Sequence, residues 1–280
     1  MKTLKLLIFL VSLSLCKNSL FAQVSGYSFT QFSGSYSAIT GGTVFGSTTS
    51  DDQRFVDPAI PAGGTSNTGP GIPIGFNFTF NGNVFDRIAI NNNGWISLGS
   101  STAVPNPVNI NSSSSYNPIS ATSTAPGILQ NRISPLGRDL QAQAGSSLRV
   151  QTLGTTPNQT FVVQWTNYRR FGASGDNFTF QIRLEETTNA VSVVYGTFTT
   201  TVTFNETSQV GLRGILNTDF NNRAVAAITN PWASSIAGTL NSAIANFNST
   251  STPALGQTYR WTPPPICSGA PNSGTTAISS

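Results

Sequence analysis

The stretch from Ile74 to Gly99, IGFNFTFNGNVFDRIAINNNGWISLG, constrains the fold more than any other part of the chain. Phe76, Phe78 and Phe80 alternate with Asn77 and Thr79, the period-two pattern of a strand with one buried face. Asn81-Gly82 follows at once, a pair that tolerates the positive φ angles of a tight hairpin turn. Val84 to Ile90 reads as the returning strand, Asn93-Gly94 as a second turn, and Trp95 to Leu98 as a third strand. Burying each of the three phenylalanines is worth about 1.5–3 kcal/mol. A lone hairpin cannot keep such a face from water, so the meander requires a second layer above it.

The same alternation recurs along the chain. Ser147 to Leu153 reads as a strand. Thr160 to Thr166 follows, with Phe161, Val163 and Trp165 on one face. In Asn177 to Glu185 the pattern puts Phe178, Phe180, Ile182 and Leu184 inside and Thr179, Gln181, Arg183 and Glu185 outside; Val191, Val193 and Tyr195 continue the apolar face. Val24 to Ile39 predicts a strand, a turn at Ser33-Gly34 and a second short strand, before a Gly-rich corner over Thr40 to Gly46. Asp57 to Gly71 is a Pro- and Gly-rich loop. Val202 to Phe204, Gln209 to Arg213, Ala224 to Ile228 and Gln257 to Thr262 complete the expected strands. Ile128 to Leu140, broken by Pro135 and Gly137, predicts an irregular crossing between sheets. Pro231 to Phe247 spaces Ile236, Leu240, Ala243, Ile244 and Phe247 as a helix would, so one short helix is expected there. The Ser/Asn-rich stretch from Ser100 to Pro126 is long for a loop. It reads as a cover for a sheet edge or for one end of the domain, or as a tolerated insertion. The fold class is therefore all-β: a two-sheet antiparallel β-sandwich, jelly-roll-like, with at most one short helix.

The first residues read as a secretory signal spanning 1–22. Lys2 and Lys5 precede an apolar run from Leu6 to Leu15, and Ser19-Leu20-Phe21-Ala22 offers a small residue before a cut at Gln23. That run is short for a membrane span. Leu13-Ser14-Leu15-Cys16 faintly matches a lipoprotein signal, but Leu15 is bulky, so cleavage after Ala22 is preferred. The cut removes every lysine (Lys2, Lys5, Lys17), leaving 11 arginines against 10 acids. The mature charge of about +1 supports neither a nucleic-acid partner nor an anionic-membrane surface. The domain expectation is a β-sandwich over 23–262 and a Pro-rich linker over 263–280, with no transmembrane segment after signal cleavage.

Several segments together resemble a known family: GFNFTFNGNVFDRIAINNNGWISLG, YSFTQFSGSYSAITGGT, ISPLGRDLQ, TFVVQWTNY, FTFQIRLEETTNAVSVVYG and QTYRWTPP. They resemble the N-terminal β-sandwich domain of large Bacteroidetes cell-surface proteins and, more distantly, the nidogen-type extracellular domain. In the family an aromatic or acidic residue often stands at Gly137 or Arg138, so this chain departs there. The resemblance implies a non-catalytic, secreted or outer-cell-surface adhesion module. After Pro263-Pro264-Pro265, ICSGAPNSGTTAISS resembles the opening of an Ig-like or fibronectin-type repeat. That implies a longer protein, in which Cys267 would pair downstream.

The residue inventory offers little for catalysis. There is no histidine, which excludes Ser-His-Asp and Cys-His arrangements and most zinc sites. Asp86, Asp139, Asp176 and Glu206 stand singly, and Glu185 and Glu186 point to opposite faces of a strand. No catalytic residue, metal or cofactor is therefore expected. Asp51-Asp52 has the oxygen chemistry of a calcium ligand pair but reads first as a solvated turn. The candidate binding residues are Tyr168, Arg169, Arg170 and Phe171, expected in a hairpin loop over Asn167 to Asp176. Arginine forks recognise carboxylates and aromatic faces stack on sugars or cations, so glycans or matrix proteins are the partners considered. The competing reading, given more weight, is a hairpin whose arginines pair with acids such as Asp176. Trp95, Trp165 and Trp261 are assigned to the core; Trp232 is left open. The leading function is a surface adhesion or binding module. The alternatives are a carbohydrate-binding accessory domain of a secreted hydrolase, and a structural cap on a surface repeat protein.

Overall fold

The computed structural model describes residues 23–110 and 116–265. The stretch expected to be a signal, Cys267 and the stretch expected to open a repeat lie outside the described residues. The principal strands are β1 (Ser28–Ser33), β2 (Thr43–Phe45), β3 (Ile72–Phe80), β4 (Asn83–Asn91), β5 (Trp95–Gly99), β6 (Arg132–Gly137) and β7 (Ser147–Leu153). They continue with β8 (Thr160–Arg170), β9 (Asn177–Glu185), β10 (Val191–Thr199), β11 (Glu206–Arg213), β12 (Phe220–Ala224) and β13 (Gln257–Thr262). One sheet runs β1-β13-β10-β9-β8-β7-β2, and the other centres on β12-β11-β6-β5-β4, with β3 also paired to β4. The named strand pairs are antiparallel, and the inner faces pack as a sandwich.

The organising meander forms as the alternation demands. Ile72, Ile74, Phe76, Phe78 and Phe80 are buried, while Pro73, Gly75 and Asn77 face outward. Asn81 (φ 52°) and Gly82 (φ 71°) supply the two positive φ angles of a type I′ turn. The opposing layer is the β8–β9–β10 meander. Phe161, Val163, Trp165, Phe178, Phe180, Ile182 and Leu184 join the phenylalanines of β3 in one core. Trp165 stacks on Phe180 at 5.1 Å and Phe178 on Phe198 at 4.3 Å. Trp165 and Trp261 are core residues, and so is Trp232, at 2 % exposure. Trp95 is equally buried but sits in a satellite cluster with Val56, Ala89, Val108 and Ile110.

Several sequence expectations are corrected. Within the crossing expected over Ile128 to Leu140, Arg132–Gly137 is instead strand β6, at the centre of the second sheet between β5 and β11. Pro135 is accommodated because the register slips between Gly137↔Gln209 and Ser134↔Gly211, leaving the proline inside a bulge where its missing N–H is not needed. The helix expected over Pro231 to Phe247 is only a 3-10 turn at Trp232–Ser234, followed by strands at Ile236–Ala237 and Ala245–Phe247. The Asn222 side chain donates to the carbonyls of Leu240 and Asn241, holding that backbone open, and Ile236, Leu240 and Ile244 face solvent. The Gly-rich corner after Thr40 contains β2, and the second short strand expected before Ile39 is absent. No strand spans Val202 to Phe204, and the return after β11 is β12, ending at Ala224 rather than starting there.

The described parts of the Ser/Asn-rich stretch lie over the outer face of the second sheet. Val108 and Ile110 pack on Ala89 and Trp95. Arg132 donates to the Pro118 carbonyl at 2.9 Å and Arg213 to the Ala121 carbonyl, while Gln209 accepts from the Ile119 N–H at 2.9 Å. Burial lowers the Arg213 guanidinium to about 10 and, with Arg213 alongside, Arg132 to about 9.

Candidate functional site

The hairpin that carries the sequence-predicted residues is shorter than expected. Strand β8 runs through Arg170, so Tyr168, Arg169 and Arg170 belong to a strand, and only Phe171 to Asp176 form the connection. Asn167 adopts φ 55° at a bulge between Trp165 and Tyr168. The extra residue flips the side-chain alternation, turning Tyr168 inward, where it is 1 % exposed. Tyr168 is thus a core residue, and burial raises its phenol well above the usual range.

Both arginine forks are occupied within the fold. Arg170 donates to Asp176 through Nε at 2.7 Å and to Glu206 through Nη1 at 2.7 Å, and Arg138 Nη2 meets the other oxygen of Glu206 at 2.5 Å. Burial opposes the Arg170 charge, but the two carboxylates outweigh it and raise its pKa. Arg169 donates to the Ala173 carbonyl at 2.8 Å and to Gln141 Oε1 at 3.1 Å. Phe171 alone of the four projects into solvent, 55 % exposed. Asp176 and Glu206, single in the sequence, meet on one guanidinium.

A second group of acids also converges. Asp139 comes within 4.8 Å, oxygen to oxygen, of Asp51 and Asp52. Asp51 bridges to Gln141, and Asn93, held by the Leu140 N–H, donates to Asp52 Oδ1 at 2.8 Å. Burial, then the neighbouring carboxylates, raises Asp51 and Asp139 above the usual carboxylate range. Among the described residues these three are the group able to hold a hard cation through oxygen.

A groove lies elsewhere, on the outer face of the first sheet. The alternation predicts that Gln181 and its neighbours on this face are exposed, yet Gln164 and Gln181 are buried. The segment from Ser37 to Gly41 crosses over them. Gln181 Nε2 donates to the Ser37 carbonyl (2.8 Å), Gln164 Oε1 accepts from the Ile39 N–H (2.9 Å), and Arg149 Nη1 donates to the Thr40 carbonyl (3.1 Å). This strap forms one wall. The β7–β8 turn, with Leu153, Gly154, Asn158 and Thr160, forms the other, and Gln151, Val162 and Arg183 lie between. The groove volume is about 540 Å³. Arg183 donates through Nε to Gln181 Oε1 at 2.8 Å. Its terminal nitrogens have no partner among the described residues, and desolvation lowers its pKa. No acidic residue lines the groove. Sequence reasoning missed it because nothing local marks the strap as a cover; the outward glutamines on β8 and β9 were the available signal.

A family model described as NIDO related matches residues 26–263. No curated protein and no solved structure matches the chain. Among the described residues, no helix is long and apolar enough to cross a membrane.

Proposed function

Because the chain belongs to the NIDO-related family, we propose that it is a non-catalytic binding module, displayed outside the cell, that holds its ligand in the groove over the first sheet. The observation that carries this reading is the groove's lining. An arginine, amides, hydroxyls and aliphatic carbons surround it, with no carboxylate, cysteine or histidine to act as nucleophile or base. Such a surface binds without turnover. The two places where acids converge, around Arg170 and at Asp51, Asp52 and Asp139, are not among the groove's lining residues. Phe171, exposed at the β8–β9 hairpin, offers a second apolar contact point to a large partner. Display outside the cell is supported by the basic-apolar-small pattern of 1–22.

The reading is tested in two parts. Protease shaving of intact host cells should degrade the protein, and full protection would place it inside. Purified protein should be retained on immobilised polysaccharide or extracellular-matrix preparations without releasing soluble fragments. Fragment release would mark an enzyme, and failure on every matrix would reject the binding role.

A further inference from the structure

We propose that the groove takes an acidic saccharide, a sugar carrying a carboxylate or sulfate, with its anionic group on Arg183. The proposal rests on the binding-module reading and names the ligand class for that site.

Charge is the first support. Arg183 is partly buried and keeps both terminal nitrogens unspent. The nearest acid along its strand, Glu185, is taken by Arg260 through both oxygens and also by the Thr188 hydroxyl. Arg149 stands close by, capping the strap's Thr40 and Gly41 carbonyls. Glu185 is shared with Arg260, so arginines outnumber carboxylates around the groove and Arg183 makes no ion pair of its own among the described residues. A guanidinium fork that has lost part of its water and lacks a carboxylate is matched by a planar or tetrahedral oxyanion.

The remaining lining separates a sugar from a bare anion or a peptide. Gln151, on the groove floor beside Val162, and Thr160, in its β7–β8 wall, make no side-chain hydrogen bond to the described residues. Asn158 spends only Oδ1, on the Thr187 hydroxyl, and leaves its NH₂ free. These groups both donate and accept, as sugar hydroxyls require. Leu153, 40 % exposed, offers an aliphatic surface for the carbon face of a ring. An extended peptide would recognise backbone. Here the backbone of Gln151 to Leu153 and of Thr160 to Val162 is paired in the β7–β8 ladder, and the strap's Ser37, Ile39 and Thr40 carbonyls and Ile39 N–H are taken by Gln181, Gln164 and Arg149, so little free backbone is offered to a peptide. The volume falls within the ~300–1,000 Å³ of small-ligand pockets.

The test is calorimetric titration of the full chain with a glucuronate-containing disaccharide, a sulfated disaccharide, the neutral disaccharide of the same linkage, and inorganic sulfate. At least one acidic disaccharide should bind at least tenfold more tightly than both the neutral sugar and inorganic sulfate. Arg183→Gln should lose at least tenfold. Because Arg183 also touches the glutamine that holds the strap, Leu153→Asp serves as a second variant. It puts a negative charge at the exposed rim without touching the strap, and should weaken acidic binding at least fivefold with an unchanged melting temperature. Equal affinity for the neutral sugar, equal affinity for inorganic sulfate, unchanged binding in both variants, or no binding of any probe would each overturn the proposal. If the probes fail while the protein is still retained on a matrix, only the ligand class is lost. If retention fails as well, the binding-module reading falls with it.

Discussion

Replacing Asp176 by asparagine should be among the most damaging conservative changes in this protein. The Asp176 side chain is fully sequestered from solvent. Its carboxylate accepts from Arg170 Nε at 2.7 Å, from Arg170 Nη2 at 3.3 Å, from the Arg170 N–H at 3.3 Å and from Thr200 Oγ1 at 2.6 Å. The amide of the variant would keep one accepting oxygen and turn an NH₂ toward a donor, removing the charge that faces the guanidinium. Two charge-assisted bonds at about 1.5–3 kcal/mol each set a ceiling near 6 kcal/mol. Stripping a buried cation of its sole partner costs about 3–5 kcal/mol. Arg170 retains Glu206 at 2.7 Å, so the loss should fall lower, at about 2–4 kcal/mol. Urea denaturation followed by tryptophan fluorescence measures it: the midpoint should fall with the slope unchanged. Asp176→Asn combined with Arg170→Gln should cost less than the sum of the two, with a coupling above about 1 kcal/mol. The more exposed pair Asp86–Arg87 is the control, and Arg87→Gln should cost under about 1 kcal/mol. A loss below about 1 kcal/mol for Asp176→Asn, or coupling near zero, would refute the reasoning that the Asp176–Arg170 pair contributes to stability.

Phe178→Ala should cost about 3–5 kcal/mol, because the ring stacks on Phe198 at 4.3 Å and meets Phe247 edge-on at 5.5 Å in the core; a melting point within error of wild type would contradict that packing. Gly94→Ala should lose more than about 1 kcal/mol in the same urea assay, since φ is 78° and the new Cβ would lie 2.3 Å from the Leu136 carbonyl oxygen. Asp52→Asn should stabilise the protein by about 0.2–1 kcal/mol near neutral pH by relieving repulsion among Asp51, Asp52 and Asp139, while its oxygen still accepts from Asn93. The raised Asp51 and Asp139 carboxyls bind protons more readily folded than unfolded, so their favourable contribution is present below the ordinary carboxylate pKa and is lost as pH rises through the raised values. The gain from Asp52→Asn should therefore shrink as pH falls toward about 3, and a gain that grows on acidification would reverse the sign of this reasoning.

How far the fold was legible depended on whether the deciding interaction was local. The period-two runs placed Ser147–Leu153, Asn177–Glu185 and Gln257–Thr262 with their observed ends, because alternation and turn chemistry are properties of adjacent residues. The Asn81-Gly82 turn was legible for the same reason. Two layers followed from the phenylalanines alone, since their burial demands a partner sheet. Tertiary structure decided the rest. A bulge at Asn167 reversed the facing of Tyr168, and another let Pro135 sit in a central strand; neither offset has a signature in one strand's sequence. The apolar spacing of Ile236, Leu240 and Ile244 suited a helix, but the Asn222 side chain on a neighbouring strand holds the Leu240 and Asn241 carbonyls in a turn between two short strands. The pairing of Arg170 with Asp176 was legible within one hairpin, but Asp139 reached Asp51 and Asp52, and Glu206 came to share Arg170, through contacts between distant segments that composition does not measure. The groove arose only when a strap from near the N-terminus crossed glutamines more than a hundred residues away. Local order is written in neighbouring side chains, whereas a cavity is a relation between segments that meet only after the sheets have closed.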